Sequence, residues 1–304
     1  MKPIPIICGP TASGKTAAAL ALADTYPLEI VSADSRQIIK YLDIGTAKPS
    51  AEELSRVPTH LINLIEPGER YSAFQYITDA VRVIKDIFER DKLPVVVGGT
   101  GLYMRALSEG VVEIEDDDLA LRERLEKEMD ALGSEKMYEK LENIDPLEAA
   151  RIHPHNKKRV IRALEIYYLT GKTKSELIVT GAYKKSEYAF DYLCLAPQRD
   201  LLYDIINARV DAMLAAGWRD EVERLVRKIG AEKIRKANVI GYNELLDCLE
   251  GNLSTEEAVL LIKQNTRRYA KRQLTWFRKQ KACRFFPDIE NLKKALAQIL
   301  YPGL

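Results

Sequence analysis

The first hundred residues alternate short apolar runs with segments of helical periodicity. Four runs are rich in β-branched and other apolar residues, as expected of strands buried on both faces. They are residues 4–8, 28–32, 60–65 and 93–97. Between the last two, apolar residues recur every three or four positions over residues 72–90, which predicts an amphipathic helix with Ser72 as its N-cap. The alternation is typical of βαβ units and predicts a parallel sheet surrounded by helices.

The pattern changes after residue 110. Helical periodicity covers residues 119–132, 134–141 and 158–170, and residues 188–195 then return to a strand-like run. Further helices are expected over residues 201–216, 218–229 and 242–249, followed by a long helix that starts at the cap of Ser254. We therefore predict an α/β fold: a parallel sheet flanked by helices, a helical insertion domain of residues 111–187, and a helical C-terminal part. The core domain comprises residues 1–110 and 188–304.

Length and composition narrow the class of protein. The 304 residues are 46% apolar and 30% charged, which is ordinary globular usage and enough chain for roughly two domains. No apolar run approaches the roughly 20 residues of a membrane span, and no signal-peptide pattern is present, so we expect a cytoplasmic protein without a membrane partner. The cysteines have no metal-ligand spacing and are interpreted as reduced thiols, although a zinc site formed in three dimensions stays open. They are Cys8, Cys194, Cys248 and Cys283.

The net charge of +1 conceals a strong asymmetry. The segment from Lys263 to Arg284 holds nine basic residues and no acidic one, and subtracting these nine charges leaves −8 on the remainder of the chain. Such a stretch is typical of a face that binds a polyanion. Whether it touches RNA or lines a channel for diphosphate stays open. The basic residues are Lys263, Arg267, Arg268, Lys271, Arg272, Arg278, Lys279, Lys281 and Arg284.

Residues 9–16, GPTASGKT, match the phosphate-binding pattern G-x-x-x-x-G-K-[ST], and they lie after a predicted strand and before an Ala-rich helix. In such a loop the backbone N–H groups and the helix N-terminus surround phosphate oxygens. Lys15 adds a full positive charge, and Thr16 offers a hydroxyl to Mg²⁺. We therefore predict a diphosphate site with Mg²⁺ as cofactor. Its predicted residues are Gly9, Thr11, Ala12, Ser13, Gly14, Lys15 and Thr16.

One acidic residue stands at the end of a predicted strand near this loop. In P-loop NTPases a second strand ends in an Asp that helps to hold Mg²⁺, but residues 93–97 run here into Gly-Gly-Thr-Gly. The acid at a strand end is instead Asp34. Three roles are open for it at this point: a ligand of Mg²⁺, a catalytic base, or the N-cap of a helix over residues 35–40.

Five passages occur together in one order: GPTASGKT at 9–16, ADSRQ at 33–37, DIGTAKP at 43–49, VGGTGLY at 97–103 and AKRQLTWFR at 270–278. In these passages the chain resembles the tRNA dimethylallyltransferases, also called tRNA isopentenyltransferases, in their bacterial form without a zinc finger. The resemblance implies transfer of a dimethylallyl group from dimethylallyl diphosphate, with release of diphosphate. The acceptor is N6 of the adenosine 3′-adjacent to the anticodon, in tRNAs that read codons beginning with U.

The resemblance also implies roles for residues. It favours the catalytic base for Asp34, places Thr100 in the same centre, and adds Arg209 to the diphosphate site. It further implies that the insertion domain contacts the anticodon stem-loop and that the protein is a monomer. The implied tRNA contacts are Asp34, Ser35, Arg36, Gln37, Thr100, Arg122, Lys158, Arg159, Arg162, Val239, Ile240, Gly241 and Tyr242. Cations at the start of a helix oppose its dipole, so the basic residues at 157–162 favour an anionic partner independently of the resemblance.

Two other functions use some of the same residues. An ATP-dependent kinase for a small molecule would need the same phosphate loop. A nucleotide-gated RNA-binding protein would need the loop and the basic stretch but no chemistry of its own. Transfer of labelled dimethylallyl to tRNA distinguishes both from the transferase.

Overall fold

The computed structural model describes residues 3–112, 118–181 and 183–300 of the chain. The described strands are β1 (Ile4–Cys8), β2 (Leu28–Ala33), β3 (Thr59–His60), β4 (Leu93–Gly98), β5 (Val111–Val112), β6 (Tyr183–Lys184), β7 (Phe190–Leu195) and β8 (Cys283–Phe286). Six of them form one sheet in the order β3-β2-β4-β1-β7-β8, and every neighbouring pair in it is parallel. The predicted parallel sheet is therefore confirmed. The remaining pair, β5 and β6, is antiparallel.

Helices make up most of the rest of the described chain. They are α1 (Lys15–Ala23), α2 (Ala51–Arg56), α3 (Ala73–Glu89), α4 (Gly101–Glu109), α5 (Leu119–Ile144), α6 (Pro146–Ala149), α7 (Lys157–Thr170), α8 (Lys174–Val179), α9 (Arg199–Ala215), α10 (Trp218–Ile229), α11 (Ala231–Ala237), α12 (Tyr242–Leu249), α13 (Thr255–Phe277) and α14 (Ile289–Leu300). Ser72 and Ser254 cap α3 and α13 through complete capping boxes. None of the helices in the described ranges is both long and apolar enough to cross a bilayer.

The chain divides into two compact units. The first comprises Met1–Ser108 and Ser186–Leu304, and the second comprises Glu109–Lys185. The insertion domain predicted from the sequence, residues 111–187, begins and ends two residues later. The first unit contains the six-stranded sheet, and the second contains helices α5 to α8 with the short β5–β6 pair.

Alternation along the strands gives the sheet two apolar faces. On one face, Ile6, Cys8 and Cys194 pack with residues of α3 and α4, including Tyr76 and Met104. On the other, the neighbouring strand positions pack with α1 and α14. A third cluster joins α10, α12 and the segment after β2, and it is centred on the buried rings of Trp218 and Tyr242. The sheet is thus covered on both sides, as all-parallel sheets require.

Two local sequence predictions are wrong. Residues 60–65 do not form a strand, because Leu61 (φ +62°) and Asn63 (φ +55°) take left-handed backbone angles, and β3 ends at His60. No helix forms over residues 35–40: residues 35–38 and 40 are in turns, and Ile39 forms an isolated bridge with Ile65. Asp34 is therefore not a helix N-cap, and only the other two roles considered for it remain.

In the second unit, helices α5 to α8 enclose their own apolar core. Leu125, Met137 and Leu164 are among its fully buried residues. Glu165 is also fully buried, and the Arg162 guanidinium donates to its carboxylate at 2.7 Å. A buried carboxylate without such a partner would be strongly destabilising, so this ion pair is part of the core of the unit.

Gly241 lies against Trp218. Its φ is +93°, and a Cβ there would come within 2.0 Å of the Trp218 ring. We expect Gly241→Ala to lower the free energy of unfolding by about 3 kcal/mol, from left-handed strain plus overpacking. The matched control is Gly251→Ala, where φ is +78° and no atom lies within 4 Å of the added Cβ. It should cost about 1 kcal/mol. Urea unfolding measures both, and equal losses would contradict the argument from the Trp218 contact.

Candidate active site

The phosphate-binding loop connects β1 to α1 at the carboxyl edge of the sheet. Gly9 has φ +143° and faces β7, where a Cβ would lie 2.4 Å from the Leu195 carbonyl oxygen. Gly14 has φ +91° and is the N-cap of α1. Only glycine fits both demands without strain. The loop therefore returns to the start of α1, and the first amides of that helix are available to an anion.

A cavity of about 680 Å³ opens beside this loop within the first unit. One wall consists of the loop itself, including Thr11, Ala12, Gly14, Lys15 and Thr16. The opposite walls come from the segment after β2, from α9, from the α11–α12 connection and from α13. Their lining residues include Asp34, Arg209, Val239, Ile240, Tyr269 and Arg272. The cavity thus collects most of the residues that the sequence assigned to catalysis and to diphosphate binding.

Two of the cations that line this cavity, Lys15 and Arg209, are desolvated and have no carboxylate partner. Lys15 Nζ donates to the Pro10 carbonyl at 2.6 Å, and desolvation lowers the pKa of Lys15 to about 8. Burial also lowers the pKa of Arg209, although the charge of Asp34 partly opposes the shift. Neither cation forms an ion pair with any carboxylate in the described part of the chain. A half-buried pair of this kind suits an anion, since a bound anion would compensate both charges. Binding of diphosphate by Lys15 and Arg209 stays a prediction.

Asp34 is oriented by the backbone that follows it. Its Oδ1 accepts the N–H of Arg36 at 2.8 Å and that of Gln37 at 3.4 Å. Among the described residues nothing donates to Oδ2. One other carboxylate, Glu53, lines the cavity, but it accepts the Ser50 N–H in the capping box of α2. Of the two, Asp34 is the carboxylate whose charge acts on both Lys15 and Arg209, so its free Oδ2 lies next to the cations.

Thr100 connects the end of β4 to the segment that carries Asp34. Its hydroxyl accepts the Ser35 N–H at 2.9 Å and donates to Ser35 Oγ at 3.2 Å. Its own N–H donates to the Ala33 carbonyl at 3.0 Å. Thr100 thus fixes the position of the Asp34 turn from the neighbouring strand. A direct part for Thr100 in catalysis stays a prediction.

The sequence analysis missed Gln273. This buried side chain of α13 accepts the Thr11 N–H at 2.8 Å and donates to the Gly99 carbonyl at 2.9 Å. It therefore joins the phosphate-binding loop to the loop after β4. The sequence signal for Gln273 is a polar residue on the same helix face as Ala270 and Phe277. Both of these apolar residues are fully buried.

The predicted tRNA contacts of the first unit occupy different environments. Arg36 donates to the Ala237 carbonyl at 3.0 Å. Gln37 donates to the carbonyls of Thr46 (3.2 Å) and Ala47 (2.9 Å). Tyr242 is fully buried and its hydroxyl donates to Glu221 at 2.5 Å. Arg36 and Gln37 line the cavity, whereas Tyr242 belongs to the buried cluster around Trp218. Contact of these residues with RNA stays a prediction.

The predicted contacts of the second unit lie on α5 and α7. Arg122 donates to Glu126 at 3.2 Å, and Arg162 is paired with Glu165. Lys158 and Arg159 are exposed in the first turn of α7 and form no ion pair within the described ranges. The α7 N-cap is Asn156, which accepts the Arg159 N–H. Two of these four basic residues are thus free for an anionic partner.

The basic stretch from Lys263 to Arg284 separates into three groups. Three members are engaged: Lys263 with Asp211, Arg267 with Asn207, and Arg284 with Asp191. Arg272 lines the cavity and lies over the Tyr269 ring at 5.6 Å. The other members are exposed and without an ion pair in the described part of the chain; they are Arg268, Lys271, Arg278, Lys279 and Lys281.

All four cysteines are free thiols, as interpreted from the sequence, but three of them cluster in a way that the sequence does not show. Three of them, Cys8, Cys194 and Cys283, place their Sγ atoms within 4.8 Å of one another. They come from three adjacent strands, so their spacing along the chain gives no sign of the cluster. Cys248 is separate and contacts Thr255 Oγ1 at 3.6 Å.

Comparisons with known sequences agree over nearly the whole chain. The family described as IPP transferase matches residues 37–280, and the one described as isopentenyl transferase matches residues 2–66. The chain is 43% identical over 297 residues to tRNA dimethylallyltransferase 1 of Syntrophotalea carbinolica, covering 98% of this chain and 95% of that protein. It is 42% identical over 301 residues to tRNA dimethylallyltransferase of Thermotoga petrophila, covering 98% and 97%.

Solved structures give the same relationship. The full-length tRNA isopentenylpyrophosphate transferase of Bacillus halodurans superposes with a TM-score of 0.70 at 39% identity, covering 99% of this chain and 97% of that one. A eukaryotic dimethylallyltransferase crystallised while acting on tRNA gives a TM-score of 0.80 at 29% identity, covering 95% and 74%.

The lowered pKa of Lys15 predicts how the affinity for diphosphate depends on pH. Because only the charged amine binds an anion well, the affinity for inorganic diphosphate should fall as the pH rises above about 8, by about tenfold per pH unit. Bound diphosphate favours the charged amine and raises its pKa, so binding in this range takes up a proton. Calorimetric titration in buffers of different ionisation enthalpy measures the affinity and the proton uptake.

The matched control is Lys15→Arg, which keeps the charge at every pH in the series. The ratio of the two affinities removes the ionisation of diphosphate itself from the comparison. A ratio that stays constant with pH would show that Lys15 is not the titrating group.

Proposed function

The chain belongs to the IPP transferase family, and we propose that it is a tRNA dimethylallyltransferase. The proposed reaction moves the dimethylallyl group of dimethylallyl diphosphate to N6 of the adenosine 3′-adjacent to the anticodon, in tRNAs that read codons beginning with U. Diphosphate is released. The observation that carries the proposal is the pair of unpaired cations, Lys15 and Arg209, in one cavity with the available carboxylate of Asp34. We also propose that the enzyme acts as a monomer in the cytoplasm.

The phosphate-binding loop serves here to hold the leaving group. As the bond between the allylic carbon and oxygen breaks, negative charge grows on the bridging oxygen of the diphosphate. Lys15, Arg209 and the loop amides stabilise this charge, and they do so in a partly desolvated cavity where such interactions are stronger than in water. The diphosphate therefore departs from carbon while it stays bound to the protein.

The residues at the loop also suit a divalent cation. The Thr16 hydroxyl lines the cavity, and nothing in the described ranges is hydrogen-bonded to it. A threonine hydroxyl at this place in the loop is a known type of Mg²⁺ ligand. We propose that Thr16 holds Mg²⁺, which would neutralise charge on the diphosphate oxygens. The charge of Asp34 acts on Lys15 of the same loop, so it would also contribute to the electrostatics of such an ion. We nevertheless assign Asp34 the role of proton acceptor.

Asp34 acts as the general base. The exocyclic amine of adenine is a poor nucleophile, because its lone pair is delocalised into the ring, and it must lose a proton as it attacks. Asp34 Oδ2 accepts this proton when the amine lies within about 3 Å. The turn that fixes Oδ1 and the Thr100 contact with Ser35 hold the carboxylate in place. The new carbon–nitrogen bond forms as the carbon–oxygen bond breaks.

The acceptor base must leave the stack of the anticodon loop to reach the cavity, at a cost of a few kcal/mol. Contacts with tRNA phosphates offset this cost, and the exposed cations Arg268, Lys271, Arg278, Lys279 and Lys281 supply them. Arg272 and Tyr269 line the cavity, where an arginine stacked over an aromatic ring suits a flat base.

An ATP-dependent kinase is the second candidate function, and the phosphate-binding loop is the observation in its favour. The loop after β4 opposes it, since Gly98, Gly99 and Thr100 stand where an NTPase places an Asp for Mg²⁺. Labelled dimethylallyl diphosphate incubated with unmodified tRNA tests the two. Label in tRNA supports the transferase. ATP turnover on a small acceptor, with no label in tRNA, supports the kinase.

Asp34→Asn tests the base. The amide oxygen of Asn can still accept the Arg36 and Gln37 N–H groups, so the turn is kept while the basic oxygen is lost. We expect single-turnover transfer to fall by about a hundredfold or more, and tRNA affinity in a filter-binding assay to stay unchanged.

Asp191→Asn is the control, because Asp191 pairs with Arg284 and is not among the residues that line the cavity. It should transfer at the wild-type rate. Undiminished transfer by Asp34→Asn would remove Asp34 from the base role. Recovery of its activity at high Mg²⁺ concentration would favour the alternative role as a metal ligand.

Salt dependence tests the exposed cations. We expect tRNA affinity to fall steeply with salt, and Lys271→Ala and Lys279→Ala each to reduce the slope of log affinity against log salt by about 1. Lys236→Ala is the control, since Lys236 lies outside the basic stretch and already pairs with Glu232 at 2.8 Å. Slopes that both variants leave unchanged would exclude this surface from the tRNA contact.

A further inference from the structure

Three thiols meet beneath the phosphate-binding loop. Cys8 is the last residue of β1 and immediately precedes Gly9 of the loop. Cys194 is its direct register partner on β7, and Cys283 begins β8 on the far side of β7. All three side chains project from the same face of the sheet, towards α3 and α4. Cys8 and Cys194 are fully buried, and Cys283 is half-buried.

A disulfide between Cys8 and Cys283 does not account for the contact of their sulfur atoms. The Sγ atoms of Cys8 and Cys283 are 3.9 Å apart, but β7 lies between their strands. Neighbouring strands are about 4.8 Å apart, so the Cα atoms of these two residues are separated by about 9 Å. A disulfide needs a Cα separation of about 4.4–6.8 Å. A disulfide between Cys8 and Cys283 would therefore require the strands of the sheet to move.

The distances between the sulfur atoms do match those expected for thiolates that bind one metal ion. Thiolates bound at about 2.3 Å lie about 3.8 Å apart in a tetrahedral site, and about 4.0 Å apart in a planar three-coordinate site. The 3.9 Å between Cys8 and Cys283 falls between these values, and the third Sγ lies within 4.8 Å of both. No fourth His, Cys, Asp or Glu ligand joins the group in the described part of the chain.

From this cluster we infer a binding site for a soft, thiophilic metal ion, formed by Cys8, Cys194 and Cys283. Thiolates select Cu⁺ and Zn²⁺ over hard cations such as Mg²⁺. Cu⁺ fits three sulfur ligands alone, whereas Zn²⁺ needs a water molecule in the fourth position. The half-buried Cys283 is the side from which an ion enters. Lys15 lies near enough to Cys8 and Cys194 for electrostatic attraction to their thiolates, which partly offsets the charge of the site.

The test is metal binding by the purified full-length protein, stripped of metal with a chelator and kept reduced and anaerobic. Cu⁺ and Zn²⁺ are titrated separately against a chromophoric competitor. We expect one equivalent per chain, with release of protons as the thiols ionise. X-ray absorption then distinguishes the two ions: three sulfur neighbours support the Cu⁺ site, and three sulfur atoms with one oxygen support the Zn²⁺ site.

Cys283→Ser should weaken the binding by more than about a hundredfold, since loss of even an outer partner of a metal ligand costs ten- to a hundredfold. Cys248→Ser, outside the cluster, should leave it unchanged. Inorganic diphosphate affinity shows that each variant is folded, and it separates failure of this site from failure of the proposed transferase function.

A measurement on the unaltered chain covers the case in which Cys283→Ser does not fold. The bound ion should slow alkylation of Cys283 but not of Cys248, as read by mass spectrometry. Stoichiometric binding that survives Cys283→Ser, no binding of either ion, or equal alkylation with and without metal would each overturn the inference and leave three reduced thiols.

Discussion

The site depends on one topological constraint: β2, β4 and β1 are adjacent and parallel, so their carboxyl ends share one edge of the sheet. Asp34 follows the first of these strands, Thr100 the second, and the phosphate-binding loop the third. Segments separated by up to ninety residues of chain are thereby neighbours. Side-chain hydrogen bonds then fix the spacing, from Thr100 to Ser35 on one side and from Gln273 to both loops on the other. The sheet supplies the proximity, and these bonds supply the geometry.

The cavity can attract an anion only if its positive charges are not already paired with carboxylates of the protein. A carboxylate paired with Lys15 or Arg209 would stabilise the free protein, but a diphosphate would then have to displace it. Asp34 is close enough to influence the pKa of both cations, yet it bonds to backbone amides and forms an ion pair with neither. Its Oδ2 therefore stays available for the proposed proton transfer, and the cations stay available to bind an anion. Burial of Lys15 in the cavity lowers the pKa of its amine to about 8, although the charge of Asp34 partly opposes this shift.

Local signals in the sequence predicted much of the fold and part of the site. The helices α10 and α12 agree with their predicted bounds, and Ser72 and Ser254 cap as expected, because caps and periodicity involve residues only a few positions apart. The strand predicted at 60–65 failed because two left-handed residues interrupt an apolar run, and apolar pattern alone carries no information on φ. The partners of Gln273 and the three clustered thiols lie up to 275 residues apart, so only the folded sheet brings them together.

Helix α13 connects the donor site with the surface proposed for tRNA. Three consecutive residues project from it about 100° apart: Lys271 is exposed, Arg272 lines the cavity, and Gln273 is buried against the phosphate-binding loop. A shift of this helix on binding of tRNA would therefore move the hydrogen bonds to Thr11 and Gly99 as well. Since Thr11 belongs to the loop proposed to hold the leaving group, the proposed tRNA contacts on one face of α13 and the proposed diphosphate contacts on another would act on the same helix. Under the proposed function, α13 therefore connects the binding of the two substrates mechanically.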